Sequence, residues 1–585
     1  MKRTQLAAAV LLATGSVSAL AATYSVTPVP LQDNARNNFA RSIDDAGNML
    51  SMVQLEYNPP IDVEQLENDT TFFAQFSESL DSEDDVKQGV FSDNDYTLIV
   101  NFLLSNQNAV QGQKLADFRT YITDTTDAEL VPGLDQVTEK FDDYTRSVES
   151  AGRDSLDGDF IVGDSSALVI LEPYENDNGD VINYTYPESS QQAFVQVNGV
   201  TSILPPVDAT VGGFASARAI NDNLQVAGFS TVSFLDTVGE AVDECANEET
   251  RGDIPESRCL YGLYLGDFTV PRVDGFFRNN ANLPGFVLAS EVNATIWQLD
   301  VNGGVISTDT FPLLFTPEED DTAHYFTYAY DINNQGIAVG EALTGDPVLI
   351  ARPGASTIAE SERVAVVFRD GETSEMLPRD ENLLSEAISI NDNNWVAGTV
   401  VRANGEIARP KLLAYNLDTA EQIVQEGFFT SSGVVSNAIN NNNIIVGKAD
   451  IDPSSEAVRL TSAFMFDIAT EELVDLNDLI ACDSPYTLVE AIDINDNNEI
   501  IANARLKTVS KYVTGEDIID SQGETSLVDS IVAVKLSPIS NGSIDDCEPD
   551  ENDLPNERQG ASNSIIAALF MLGALAVRRR KSVRK

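Results

Sequence analysis

A short phrase recurs six times along the chain and constrains the fold more than any other feature. With a reference Ile as position zero, the anchors are Ile43, Ile220, Ile332, Ile390, Ile439 and Ile494. Three residues earlier stands a small residue: Ala40, Ala217, Ala329, Ala387, Ser436 or Ala491. The anchor is followed by Asp44 or by an asparagine (Asn221, Asn333, Asn391, Asn440, Asn495). Eight residues past the anchor comes Ser51, Gly228, Gly340, Gly398, Gly447 or Ala502. The copies align without gaps, so each encodes one structural unit packed against others of its kind. In Ala387–Gly398, apolar residues alternate up to Asn391 and resume at Trp395. Asn and Asp accept left-handed backbone and bond their own main chain, so the polar cluster between is a turn. Apolar run, Asn-rich turn, apolar run predicts a β-hairpin. The small residues let a neighbouring backbone come close.

The last four anchors lie 58, 49 and 55 residues apart, and the gap from Ile220 to Ile332 is 112, about twice that. Periods of this size suit four-stranded propeller blades. A degenerate copy lies at Gly152–Gly163, and another is expected near Phe276. Strand-like runs at Ala294–Leu299, Val364–Phe368, Lys411–Asn416 and Ala463–Ile468 fill the periods. The sequence thus predicts an all-β chain, a β-propeller of seven or eight blades over residues 22–540, with a solenoid as the alternative. Tyr24–Val29 and Ile531–Leu536 are both strand-like, and pairing them would close the ring and remove exposed edges. Residues 57–150 break the pattern. Val63–Leu80, Gln107–Tyr121 and Asp135–Tyr144 have helical spacing, and Tyr96–Leu104 reads as a strand or a buried helix. A helical insertion is expected there, either a binding surface or a cover for a blade edge.

The phrase resembles the HAF repeat of secreted bacterial proteins, roughly Ala-x-x-Ile-Asn-Asp-x-Gly-x-Val-Val-Gly. Ser462–Phe466 and Asp475–Leu479 precede the last copy as in that family, while the mid-turn glycine survives only as Gly47 and Gly336. The whole chain is similar to uncharacterised Gram-negative envelope proteins that carry such repeats. The resemblance implies a fold and an exported location, and it brings no catalytic residues.

The two ends support export. Lys2 and Arg3 precede an apolar run, Leu6–Val17, and the small residues Ala19-Leu20-Ala21. That is the layout of a secretory signal peptide over 1–21, cut by signal peptidase after Ala21. Residues 541–560 include the acidic Asp545–Asp553 and read as a solvated spacer. In 561–585 the apolar Ile565–Val577 leads into Arg578-Arg579-Arg580-Lys581. This tail resembles Gly-Gly-type sorting signals, with Gly560 and Ala561 at the processing point, which implies cutting by an intramembrane protease. A plain membrane anchor fits equally, and either gives membrane contact through this segment. An even set of cysteines (Cys245, Cys259, Cys482, Cys547) in an exported chain favours disulfides. Cys245–Cys259 and Cys482–Cys547 are the favoured pairs among three ways to pair them.

With 93 acidic and 35 basic residues the chain carries −58, which repels phosphate backbones and argues against nucleic-acid partners. Such acidity could recruit Ca²⁺, and Glu175, Asp177 and Asp180 are the weak candidate ligands, with Asp300–Gly304 a thinner one. Neither stretch completes an EF-hand, and each also reads as an ordinary Asx turn. A single histidine, His324, and the lack of a nucleophile elbow, HExxH or P-loop leave no catalytic kit. The expectation is an exported, non-catalytic binding or structural module with a protein or glycan ligand. The alternative is a carboxylate-dependent glycan hydrolase or lyase using acids of a central channel.

Overall fold

The computed structural model describes residues 23–544, except 32, 70, 266–284, 319–323, 352–356, 405–406, 455–458 and 520–521. Seven four-stranded antiparallel sheets form a β-propeller. Each blade opens with the strand that carries the repeated phrase. These innermost strands are Ala35–Ile43, Ser150–Leu156, Ala215–Ile220, Thr327–Ile332, Leu384–Ile390, Val434–Ile439 and Thr487–Ile494, in blades 1 to 7. The strand-like runs listed above are all third strands, as in Ser290–Leu299 and Thr461–Asp467. Blade 2 is the degenerate copy, with Ser155 at the anchor position and Gly152 opposite Gly163. The ring closes as expected: Tyr24–Pro28 is the outer strand of blade 7, antiparallel to Leu527–Pro538, with Val26 opposite Leu536. This circular order excludes the solenoid. The core lies between blades, where apolar residues of adjacent sheets interleave. Val339, Val367, Ile390, Val396 and Leu413, for example, join blades 4 and 5.

The phrase owes its small residues to one contact. At each glycine eight residues past the anchor, an added Cβ would run into a carbonyl oxygen of the paired strand, such as that of Tyr328 at Gly340 or of Ser216 at Gly228. The turns need left-handed backbone four residues past the anchor. Gly47 and Gly336 supply it, Asn394, Asn443 and Asn498 substitute, and Leu224 adopts it at φ 57°.

Three expectations are corrected. The 112-residue gap is one blade, not two. Blade 3 carries helices Asp236–Ala246, Glu248–Arg251, Glu256–Leu265 and Gly285–Leu288 between its second and third strands. Phe276, where a further copy was expected, lies outside the described residues. The insertion at 57–150 is helical only from Val63 to Ser105; it lies between the first copy of the phrase and the degenerate one, inside blade 1 between Met49–Glu56 and Phe118–Thr123. Gln107–Tyr121 and Asp135–Tyr144 are not helices. Phe118–Thr123 pairs with Met49–Glu56, and Val137–Thr138 pairs with Asp143–Tyr144. An open strand edge that satisfies backbone groups outweighed the local 3.6-residue period. Tyr96–Leu104 is the buried helix of the two readings, within Asp93–Ser105, capped by Ser92.

In an antiparallel blade the second-to-third connection emerges opposite the phrase turns. The insertions of blades 1 and 3, and the hairpin Val169–Glu175/Val181–Pro187 of blade 2, therefore crown one face. The other face presents the phrase turns.

Candidate functional site in the central channel

The seven turns meet around the axis, and six of them, from blade 3 round to blade 1, bond one another in succession. Asn221 Nδ2 donates to the Asn333 carbonyl at 2.8 Å, Asn333 to Asn391 at 3.2 Å, and Asn391 to Asn440 at 2.9 Å. Asn440 donates to Asn495 at 2.9 Å, and Asn495 closes onto Asp44 at 3.0 Å. One residue on, the backbone N–H of Asp222, Asn334, Asp392, Asn441 and Asp496 each donates to the matching side chain of the next blade, at 2.8–2.9 Å. The repeated asparagines are thus hairpin turns, as read from the sequence, and also inter-blade rivets. They surround a polar cavity of about 240 Å³ at this mouth.

Just inside, the residue before the anchor alternates in kind: Ser42, Asp154, Ala219, Asp331, Ser389, Ala438, Asp493. Each aspartate bonds the backbone N–H of the next blade's anchor: Asp154 that of Ile220 at 2.9 Å, Asp331 that of Ile390 at 2.8 Å, Asp493 that of Ile43 at 2.8 Å. Burial pushes Asp154 up to about 7 and Asp493 up to about 6, and it raises Asp331. Their oxygens are engaged by neighbouring N–H groups and serines, so they act as blade seams.

The next layer was not visible in the phrase. Every innermost strand carries a β-bulge between the small residue and the residue before the anchor. The extra residue at each bulge is Arg41, Arg153, Arg218, Tyr330, Ile388, Asn437 or Ile492. All seven line one cavity of about 440 Å³, with Glu490 and Asn503. Bulges re-aim side chains, and here they turn one variable residue per blade into the channel. The signal was present in the sequence, but it sits at the one position of the phrase where type does not repeat.

Blades 1 to 3 supply three consecutive arginines. Arg153 is neutralised by Asp164, with its Nε at 2.8 Å from Oδ2. Arg218 lies over the rings of Phe229 at 5.2 Å and Tyr330 at 6.0 Å. Among the described residues, Arg41 Nη2 bonds the thioether of Met52 at 3.2 Å, and its buried Nε has no hydrogen-bond partner. Burial, then the charges of Arg153 and Arg218, hold the Arg41 guanidinium down at about 10. Across the channel, Tyr330 is fixed by its hydroxyl bond to Glu341 at 2.6 Å. Glu490 takes bonds from Asn437 at 3.2 Å and Lys448 at 2.9 Å. Three guanidinium groups thus share one wall of the channel, with Arg153 already paired to Asp164.

The other candidates fall elsewhere. Glu175, Asp177 and Asp180 sit on the exposed tip of the blade 2 hairpin, where Asn176 Oδ1 accepts the N–H groups of Asn178 and Asp180 at 3.0 and 2.8 Å. The Asp177 N–H donates to Asp253 at 2.9 Å. Asp300 closes a similar turn onto Asn302 and Gly304. Among the described residues, no three His, Cys, Asp or Glu side chains come together as a metal cluster. His324 is core: its Nδ1 lies 2.9 Å from the Ser290 carbonyl, and burial lowers it to about 4. Cys245 and Cys259 form a disulfide joining two helices of the blade 3 insertion, Cα atoms 5.6 Å apart. Cys482 is disulfide-bonded as well, while Cys547, Ala21, Gly560 and Ala561 lie outside the described residues. Among the described residues no helix is long and apolar enough to cross a membrane.

No curated protein matches the chain. Solved structures that it resembles include a puromycin-hydrolyzing peptidase of Mycobacterium tuberculosis, at 8% identity and TM-score 0.36, over 87% of this chain and 55% of that one. An acylaminoacyl peptidase of Pyrococcus horikoshii aligns at 10% identity and TM-score 0.33, over 80% and 49%. An oligogalacturonate lyase in complex with manganese aligns at 9% and 0.33, over 73% and 89%. The chain spans about half the length of the two peptidases, and likenesses this distant say nothing of activity. A family model described as a protein of unknown function, DUF3466, matches residues 1–580, and the chain belongs to that family.

Proposed function

We propose that the protein is an exported, non-catalytic binding module whose ligand is an acidic glycan held in the central channel. The observation that carries this reading is the placement of Arg41, Arg153 and Arg218 on consecutive blades at one bulge position, lining one cavity. Guanidinium groups bind carboxylates through paired N–H bonds, and the polar Asn437 and Asn503 line the same cavity. The ligand enters from the crowned face, because the opposite mouth is ringed by Asp45, Asp222, Asp392 and Asp496. Export is supported by the leader-like start and by the Cys245–Cys259 disulfide, a bond that persists in oxidising compartments. Membrane contact rests on the apolar tail Ile565–Val577 alone.

A panel of uronic-acid oligosaccharides and their neutral, carboxyl-reduced counterparts tests the ligand. The acidic members should bind and the neutral ones should not. Equal binding of both, or of neither, contradicts the reading. Intact mass of the protein recovered from its native host tests export. It should show loss of residues 1–21, and full-length protein with free thiols would contradict it.

A further inference from the structure

A second cavity, of about 200 Å³, lies away from the channel, where the blade 1 insertion meets blades 1 and 7. Its apolar wall is built from Val100 and Leu104 of helix Asp93–Ser105, with Leu115 and Val513. Its polar wall is cationic: Arg36, Arg119, Arg146 and Lys511. The carboxylates near these cations are Glu56, Asp135 and Asp33. Arg119 bonds Glu56 at 2.9 Å, and Arg146 stands 3.9 Å from the same carboxylate oxygen. Glu56 also accepts the Tyr121 hydroxyl. Lys511 pairs at 3.5 Å with Asp33, which is fully open to solvent at 96% exposure. Glu56 is therefore shared between two guanidiniums, and Arg119, at 4% exposure, keeps a buried Nη2 with no hydrogen-bond partner among the described residues. Leaving a buried charged donor unmet is costly, so the site is incomplete as it stands.

From this geometry we infer a binding site for a small amphiphilic carboxylate, its apolar body against Val100, Leu104, Leu115 and Val513 and its carboxylate against Arg119 and Arg36. The volume holds about seven groups the size of a water molecule or methylene, which selects medium-chain or aryl acids over long-chain lipids. The occupant supplies the missing negative charge and covers apolar surface in one molecule. Neither an alcohol nor acetate can do both.

Sodium octanoate is the probe, titrated calorimetrically into the full chain, with octanol and sodium acetate as controls. One octanoate should bind per chain, at least about tenfold tighter than either control, a difference of about 1.4 kcal/mol. Arg36→Gln at the polar wall and Val100→Phe in the apolar wall should each weaken octanoate at least fivefold, with melting temperature confirming the fold. The channel variant Arg41→Ala/Arg218→Ala should bind octanoate like the unmodified chain, which separates this site from the channel. Octanoate no tighter than octanol, or binding unchanged by both pocket substitutions, overturns the inference. So does octanoate binding that is lost with the channel arginines.

Discussion

Asn391 shows how one side chain serves two blades. Its Nδ2 donates to the Asn440 carbonyl at 2.9 Å and to Asn443 Oδ1 at 2.8 Å, while its Oδ1 accepts the N–H groups of Asn393 and Trp395, both at 3.0 Å. It is 4% exposed, so truncation leaves these groups unmet without ready access to water. Asn391→Ala should cost about 2–4 kcal/mol in urea unfolding, and Asn391→Asp, whose buried carboxylate would face the Asn440 carbonyl and Asn443 Oδ1, should cost at least as much. The buried aspartates make a different prediction. Asp154 has an ordinary value of 3.8 and is raised to about 7 by burial, so the folded chain holds its proton more tightly than the unfolded chain does. The stabilisation this gives is full below about pH 4 and is lost as pH rises through about 7. The stability advantage of the unmodified chain over Asp154→Ser, a residue that blades 1 and 5 already carry there, should therefore shrink from pH 4 to pH 8. An advantage that grows over that interval would contradict the buried environment.

At the scale of elements, the repeated hairpin was legible because its constraints are local. The turn needs Asn or Gly in left-handed backbone, and the paired strands need a missing side chain where a carbonyl intrudes. Gly340→Val should lower stability by about 1–3 kcal/mol through that overlap with Tyr328, seen as a lower melting temperature with the fold retained. What was not legible depends on distant partners. Leu115, Phe118 and Tyr121 fall at helical spacing, yet Phe118–Thr123 became a strand because Met49–Glu56 offered an unpaired edge. Helical inserts stretched the apparent period of blade 3, so spacing alone miscounted it. The channel arginines were hidden for a related reason. A bulge spends one residue per strand on the lumen, and that residue varies from blade to blade while the scaffold around it repeats.

For the whole molecule, closure and charge matter most. The last sheet is completed by the first described strand, and Thr23 also reaches Leu479 and Ile539 through its backbone. A chain lacking residues 23–30 should unfold at markedly lower denaturant and with lower cooperativity, because the exposed edge of Leu527–Pro538 loses its partner. Equal unfolding midpoints would contradict closure by that strand. With −58 overall, anions approach against the field of the molecule, and added salt should raise their association rate by screening it. The central claim is that the bulge residues of blades 1 to 3 form the ligand site. Its most direct measurement is calorimetric titration of a uronic-acid oligosaccharide into the unmodified chain and into Arg41→Ala/Arg218→Ala. One ligand should bind per unmodified chain, and the variant should bind at least about tenfold more weakly at an unchanged melting temperature. Equal affinity in the two proteins would contradict it.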